Sequence, residues 1–407
     1  MHPEIRFGDL LDLPLRSGVT VASANRGCGI NMLNMGELFR FSRIPAVDMA
    51  RVDIDFSDSD RYLLTIGDLM FARRSLTLEG AGKCSIVHGV PEPTTWESSI
   101  IRARVDRYRA DPRFYFYYFA SPAGRRSIET IVEQVAAAGI RLSELSSLLV
   151  PLPPLAVQGA IADTLGALDD KIDVNLVLAV QTNALVRALF KDISAKADTH
   201  RALSEIAAIT KGVSYRSGDL KPSETALVTL KSVTRYGTYA DRGLKSYSGP
   251  YAAQQIIKSG DIVIAQTDLT QAAEVVGRAV RVAPSTDYTV LVASLDLAIA
   301  RPRAGVPAEF LLGVLSEERF HRHCQSYATG TTVLHLAPTA FETYLAPVIT
   351  AAEQHKFARK IRPLHDLIDS LAQENRSLAA LRDTLLPELM SGKLRVKDAE
   401  KQVEEVV

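Results

Sequence analysis

Three short stretches hold residue types that do chemistry in other proteins. Glu79-Gly-Ala-Gly-Lys-Cys84 ends like a phosphate-binding loop. The motif G-x-x-x-x-G-K-[ST] needs a leading glycine for its tight turn and a final hydroxyl for Mg2+, and the chain offers Thr77 and Cys84 instead. A glycine loop carrying one cation, Lys83, is what remains. His321-Arg-His-Cys324 is a dense His/Cys cluster. Residues two apart on a helix point to different faces, so His321 and His323 would not converge on one metal. Asp53–Asp60 reads as a solvated acidic loop. No G-x-S-x-G, H-E-x-x-H or N-P-P-[FY] stretch occurs, and Leu152-Pro-Pro-Leu155 lacks the Asn and the aromatic ring of the last. The expectation is a chain with no catalytic residues, metal or cofactor of its own.

Recognition is the remaining class. Arg73-Arg74 ends a strand signal, Lys83 follows in the glycine loop, and Lys231-Ser-Val-Thr-Arg235-Tyr236 is a basic loop with an aromatic ring. Gln266 and Thr267 end a second strand signal. These types hold phosphates or read base edges, and loops at strand ends present them well. Arg73, Arg74, Lys83, Lys231, Arg235, Gln266 and Thr267 are therefore the candidate nucleic-acid contacts; for each, an ordinary surface residue is the plainer alternative. Lys+Arg 47 balances Asp+Glu 47, so no broad cationic field supports the idea.

The elements that must position these residues come in duplicate. Gly18-Val19 recurs as Gly212-Val213, and Ile66-Gly67-Asp68-Leu69-Met70 as Ser259-Gly260-Asp261-Ile262-Val263. Leu142 and Pro153 answer to Leu336 and Pro347, and Gln158, Ile172-Asp173 and Leu185 to Gln354, Ile368-Asp369 and Leu381. The order is kept throughout, which predicts two copies of one unit. Each copy is a mixed globular region followed by a long helix.

The globular parts carry strand signals at Tyr62–Leu64, Leu69–Ala72, Ala226–Leu230, Ile262–Ala265 and Leu291–Ala293. Helical segments are expected over Arg113–Phe119 continuing through Arg126–Ala136, and over Ala308–Tyr327. Prolines 151, 153 and 154 introduce the first long helix. Its 4-3-4-3 seam is Ile161, Leu165, Leu168, Ile172, Asn175, Ala179, Thr182, Val186 and Leu189. The second seam is Phe357, Ile361, Leu364, Ile368, Leu371, Asn375, Leu378, Arg382 and Leu385. A 3.5-residue repeat marks a coiled-coil face. Asn175 and Asn375 either fix its register or lie at a solvated edge. Gly392 stands where a C-terminal cap would end the second helix, after Pro387 disturbs its last turn.

The fold class is thus α+β. Two mixed α/β domains, 1–150 and 196–347, are separated by two long antiparallel coiled-coil helices, 151–195 and 348–395, with a tail at 396–407 and an internal pseudo-two-fold. With 407 residues, 47% hydrophobic and 23% charged, the composition is that of a globular protein of two or three domains. Three cysteines are too few for a disulfide framework. No apolar run reaches membrane length and no signal peptide is visible, so a cytoplasmic protein is expected.

At this point the chain resembles the specificity subunits of type I restriction–modification systems. Leu149-Val-Pro-Leu-Pro-Pro-Leu155, Gln158, Ile161-Ala162, Leu168-Asp-Asp-Lys-Ile-Asp173 and Ala188-Leu-Phe-Lys191 resemble the family's central helix. Leu381–Pro387 and Ser391–Arg395 resemble its C-terminal helix, and Gly330–Val333 with His335-Leu336 the end of a target-recognition domain. Gly159 and Ala346-Pro-Val-Ile349 depart from the pattern. The resemblance implies two target-recognition domains, each reading half of a split sequence in double-stranded DNA. It implies two methyltransferase subunits that bring S-adenosylmethionine, and restriction subunits that bring ATP and Mg2+. A coiled-coil scaffold or decoy that binds methyltransferase subunits without reading DNA is the alternative.

Overall fold

The computed structural model describes residues 3–54, 61–90, 92–134 and 138–406, so most of the acidic loop 53–60 lies outside the described residues. The chain divides into two compact units. One comprises Met1–Asp173 with Asn375–Val407, the other Val174–Glu374.

The first unit is built on a five-stranded sheet in the order Leu11–Ser17, Ile100–Val105, Leu69–Ala72, Cys84–Val87, Arg43–Ile44. The first three pairings are antiparallel, and the edge strand Arg43–Ile44 runs parallel to its neighbour. The second unit repeats four of these strands, all antiparallel: Ala207–Lys211, Leu297–Pro302, Ile262–Ala265, Ala279–Arg281. A parallel pair recurs too, Asn31 to Leu33 against Thr94 to Trp96, and Thr225–Val228 against Val290–Ala293. The repeat read from the sequence is therefore a repeat of topology.

Backbone constraints explain which residues the repeat keeps. Val19 bridges to Glu97 and Val213 to Ser294, each in parallel. A Cβ on Gly18 would lie 1.9 Å from the Trp96 carbonyl oxygen, and one on Gly212 1.9 Å from that of Ser294. Only glycine fits so close to a carbonyl. Gly67 and Gly260 adopt φ of +92° and +87°, the left-handed region. In the turns they make, Asp68 accepts the Thr65 amide at 2.8 Å and Asp261 the Lys258 amide at 3.1 Å. Each carboxylate also binds an arginine of the adjacent strand: Arg104 on Asp68 at 2.7 Å, Arg301 on Asp261 at 2.9 Å.

Apolar side chains cover both faces of each sheet. In the first unit Phe7, Phe71 and Phe119 meet edge to face at 5.0 and 5.1 Å, and Ile161, Leu165, Leu168, Leu378, Leu385 and Leu389 join the same core. In the second unit Phe190, Phe310, Phe357 and Ile361 serve that layer. The opposite faces differ. Arg102 is buried beside Trp96 with its Nε and one amine unpaired, whereas Ile299, at the matching register, lies in an apolar cluster.

The long helices span Leu155–Ser194 and Ala351–Ser391. At 1.5 Å per residue each is about 60 Å long. Gln158 and Gln354 tie their first turns down by donating to the carbonyls of Pro153 (2.8 Å) and Ile349 (2.7 Å). The seam residues Ile161, Leu165, Leu168, Phe357, Ile361, Leu371, Leu378 and Leu385 are buried, and Ile172, Leu189, Leu364 and Ile368 are half-buried. Within each unit the two helices run antiparallel. Arg382 reaches Asp169 and Asn375 the Ile172 carbonyl in the first; Asn175 binds Glu374 and Phe190 meets Phe357 in the second. Asn175 and Asn375 thus both face the partner helix.

Several expectations need correction. Tyr62–Leu64 is not a strand. Arg113–Ala136, of which residues 135 and 136 lie outside the described residues, is not one helix: Pro112–Ala120 stops at Ser121, whose hydroxyl caps a new helix Pro122–Glu129 beginning with proline. Ala308–Tyr327 breaks likewise into Ala308–Ser316 and Glu318–Ser326. Pro387 does not interrupt the last long helix, which runs on to Ser391 before Gly392 turns at φ +71°. The tail folds as a helix, Val396–Glu404, that buries Ala399 and Val403 in the first unit's core. Finally, Leu155–Ser194 is long and apolar enough to cross a membrane by length and composition, contrary to the expectation that no stretch is.

Candidate nucleic-acid interface

The turns at Gly67-Asp68 and Gly260-Asp261 launch the strands whose ends carry the candidate contacts. In the first unit, Arg74 opens the short strand Arg74–Ser75 and is exposed. Arg73 is half-buried, its backbone pinned between the Ser99 carbonyl and the Ile140 amide at 2.8 and 3.0 Å. Lys83 turns inward. Its Nζ donates to the Phe39 carbonyl at 2.8 Å and lies 5.1 Å from that ring's centre, and burial lowers its pKa. Gly82 closes this loop at φ +67°, against Ile128.

In the second unit Gln266 and Thr267, at the matching strand end, are buried. Gln266 donates to the Leu295 carbonyl at 3.3 Å, and Thr267 to Asp296 at 3.2 Å. Strand pairing of Thr267 with His335 holds them there. Next to them, Asp268 caps a turn by accepting the amides of Thr270, Val275 and Val276 and the Thr270 hydroxyl. Burial alone would raise its pKa, but these hydrogen bonds hold it below the usual carboxylate value.

Lys231 and Arg235 are exposed. Arg235 lies 5.0 Å over the Tyr236 ring at the tip of a tight turn. Thr234 and Thr238 close that turn through a 2.7 Å hydroxyl contact, with Gly237 at φ +68°. Arg187 of the first long helix anchors it by donating to the Tyr236 carbonyl at 2.5 Å. The seven candidates therefore divide. Arg74 and Lys231 present free surface, Arg235 is exposed with Glu274 3.9 Å from its guanidinium, Arg73 is partly exposed, and Lys83, Gln266 and Thr267 are engaged internally. Nothing local singles out Arg187, because its partner lies 49 residues away. His321 and His323 likewise bind separate backbone carbonyls, those of Val276 and Ala340, at 2.9 Å each. Among the described residues no His/Cys/Asp/Glu group could hold a metal ion.

Residues 46–176 match the family described as the type I restriction modification DNA specificity domain. Over 96% of its length the chain is 23% identical to the Methanocaldococcus jannaschii protein assigned as the type I restriction enzyme MjaX specificity subunit, covering 92% of that protein. The chain is thus similar to type I restriction–modification specificity subunits. A second such subunit, that of the type I restriction enzyme EcoKI from Escherichia coli K12, is 28% identical over 45% of this chain and 39% of its own length. The fold matches too: the crystal structure of a type I system S subunit from M. genitalium superimposes with a TM-score of 0.52 at 16% identity, covering 95% of both chains. The specificity-subunit fold accounts for the duplicated mixed α/β domains and for the two long helices.

Proposed function

We propose that this chain reads a two-part DNA sequence for a type I restriction–modification complex, one half through each globular unit. The observation that carries this reading is duplication with divergence. The turns, sheet order and helix anchors repeat, while the strand-end residues change from Arg73-Arg74 to Gln266-Thr267. Two copies of one frame with different loops suit two different half-sites. Arg74, with Arg73 beside it, makes the direct contacts of the first unit, and Lys231 and Arg235 those of the second; Lys83, Gln266 and Thr267 shape the loops from beneath. Tyr236 adds a ring that lies along a sugar or base while Arg235 bonds a phosphate or guanine edge.

The chemistry comes from partners: methyltransferase subunits supply S-adenosylmethionine and adenine methylation, and restriction subunits supply ATP-driven cleavage. Docking needs a surface, and the middle of the first long helix offers one. Val174, Leu176, Val177, Val180 and Leu185 are about half to two-thirds exposed there. Helices of soluble proteins normally bury an apolar face and wet a polar one; the stretch 174–185 carries no charged residue and turns apolar side chains outward. The matching stretch of the second helix carries Ser370, Gln373, Glu374 and Arg376 instead. We assign the apolar face to a methyltransferase subunit. The double change Leu176→Asp, Val180→Asp should leave the thermal midpoint of the lone chain within a few degrees, since exposed substitutions cost within about 0.5 kcal/mol. It should abolish co-purification with the methyltransferase; retention at wild-type yield would remove this face from the docking surface.

The reading itself is tested by mapping N6-methyladenine across the source genome with and without the gene. A split motif around a fixed gap should vanish on deletion. Exchange of residues 1–150 for those of another family member should then alter one half of the motif only. A chain that binds methyltransferase tightly yet directs no motif would be a scaffold or decoy, and the proposal would fail.

A further inference from the structure

Each long helix carries two aspartates three residues apart at matching positions, Asp170 and Asp173 on the first, Asp366 and Asp369 on the second. Such pairs lie on one helix face. In both units an arginine from the outermost strand of the main sheet reaches over them. Arg43 binds Asp170 and lies 3.4 Å from Asp173; Arg281 binds Asp369 and lies 3.9 Å from Asp366. The two arginines are not sequence equivalents. Arg281 stands opposite Ile262, and the residue at that register in the first unit, opposite Leu69, is Ile86. Ile86 is spent on the core, but the first unit has one more edge strand, and on it Arg43 pairs directly with Ile86. An arginine over the same two helix positions thus occurs twice, from residues one strand apart, with the nearer aspartate exchanged between the copies. Duplication alone would not produce this, because the repeat did not supply the arginine.

We propose that these two arginine clamps are positioning devices, each locking the rotation of one recognition domain on the helix segment of its own unit. The inference rests on the DNA-reading function proposed above. Apolar packing of sheet and helix is non-directional and permits rolling. A guanidinium between two carboxylates on one helix face does not, because its donors form a fixed fork. Three of the four aspartates are more than half exposed, at 54 to 64%, while Asp369 and both arginine side chains are largely buried, at 11 to 23%, so each clamp is only partly screened by water. Angle is where they act. A half-site moved by one base pair shifts by about 3.4 Å and turns by roughly 35°. A domain free to roll would accept that change; a clamped one rejects it.

The test uses the full chain assembled with its methyltransferase subunits. Methyl transfer from S-adenosylmethionine is measured on duplexes carrying both half-sites at the native gap and at gaps one base pair shorter and longer. Arg43→Gln and Arg281→Gln should each raise the rate on the neighbouring gaps relative to the native one by about tenfold, equivalent to about 1.4 kcal/mol. The bases required in each half-site should stay the same, and Arg43→Lys should fall between. Because Asp170 and Asp173 are exposed, Asp170→Asn with Asp173→Asn gives a second variant whose fold is safe, and it should behave as Arg43→Gln does. Unchanged gap preference in these variants would overturn the clamp while leaving the DNA-reading function standing. A wild-type complex that methylates all three gaps alike, or none, would overturn both.

Discussion

Gly18→Ala should unfold the first unit in conditions where the native chain is stable, costing more than about 4 kcal/mol. The added carbon would lie 1.9 Å from the Trp96 carbonyl oxygen and 2.5 Å from that of Glu97. Both oxygens belong to backbone, so neither can rotate away as a side chain would. The Trp96 oxygen also accepts the Val19 amide at 2.8 Å, and separating the strands would break that bond too. Gly36→Ala is the matched control. Nothing lies within 4 Å of its added carbon, and Gly36 sits in the helix Met35–Arg40, where alanine is favoured by up to about 1 kcal/mol. Trp96 is the one tryptophan of the chain and is fully buried, so its fluorescence in a urea titration reports this unit alone. Equal midpoints for the two variants would disprove the close approach.

The second unit should lose stability as pH falls from about 6.5 towards 4, and part of that loss should disappear in His365→Gln, with a further part belonging to His321, whose pKa burial also lowers. His365 is 6% exposed on the second long helix, facing a cavity of about 310 Å³ that Arg281, Arg362, Glu309 and Asp366 also line. Burial first, and then the charge of Arg281, push its pKa down to about 4 from 6.5, against the pull of Glu309 and Asp366. The sign follows from proton counting. Between those two values the unfolded chain binds a proton that the folded one refuses, so acid favours unfolding. At about 1.4 kcal/mol per pH unit the loss reaches about 2 kcal/mol at pH 5 and about 3 kcal/mol once both forms are protonated. Urea titrations followed by far-ultraviolet circular dichroism at pH 7.5 and 5.0 measure it. Identical pH dependence in the native chain and His365→Gln would show that this imidazole is not held neutral.

His365 also illustrates how the copies diverged. Its counterpart 196 residues earlier is Asp169, which accepts from Tyr117 at 2.7 Å and from Arg382 at 2.6 Å. In the second unit those partner positions hold Gly313 and Val186, and the Phe190 ring fills the space where a Gly313 side chain would stand. A polar triad has been exchanged for an aromatic plug.

What the sequence made legible was whatever is enforced locally. The 4-3 spacing of Ile161, Leu165 and Leu168 is a property of one helix, and the left-handed turn at Gly67 and Gly260 is a property of one peptide. Gly18 and Gly212 stood out because a carbonyl closes on each, although the carbonyl itself could not be foreseen. Non-local pairing was illegible. Gln266 and Thr267 have suitable chemistry for reading DNA, yet Asp296 and the strand Leu334–Leu336 decide that they face inward. The helix break at Ser121-Pro122 was readable from its cap and proline, and the aromatic run Phe114–Phe119 obscured it. The helix Val396–Glu404 reads as polar, and only Ala399 and Val403, four apart, betray its buried side. Arg43 and Arg281 share no position in the repeat, so only the sheet reveals them as a pair.

The first unit is discontinuous in the chain: it opens at the N-terminus, pauses at Asp173 and is completed only by Asn375–Val407. During synthesis this imposes an order. Val174–Glu374 can close its own core as it leaves the ribosome, while the earlier-made residues wait for Leu378, Leu385, Leu389 and Val403. At 5–20 residues per second, the roughly 200 intervening residues amount to about 10 to 40 seconds of exposed apolar surface. The half that is translated first is therefore the half that matures last, and a prematurely terminated chain would carry a finished second domain beside an open first one.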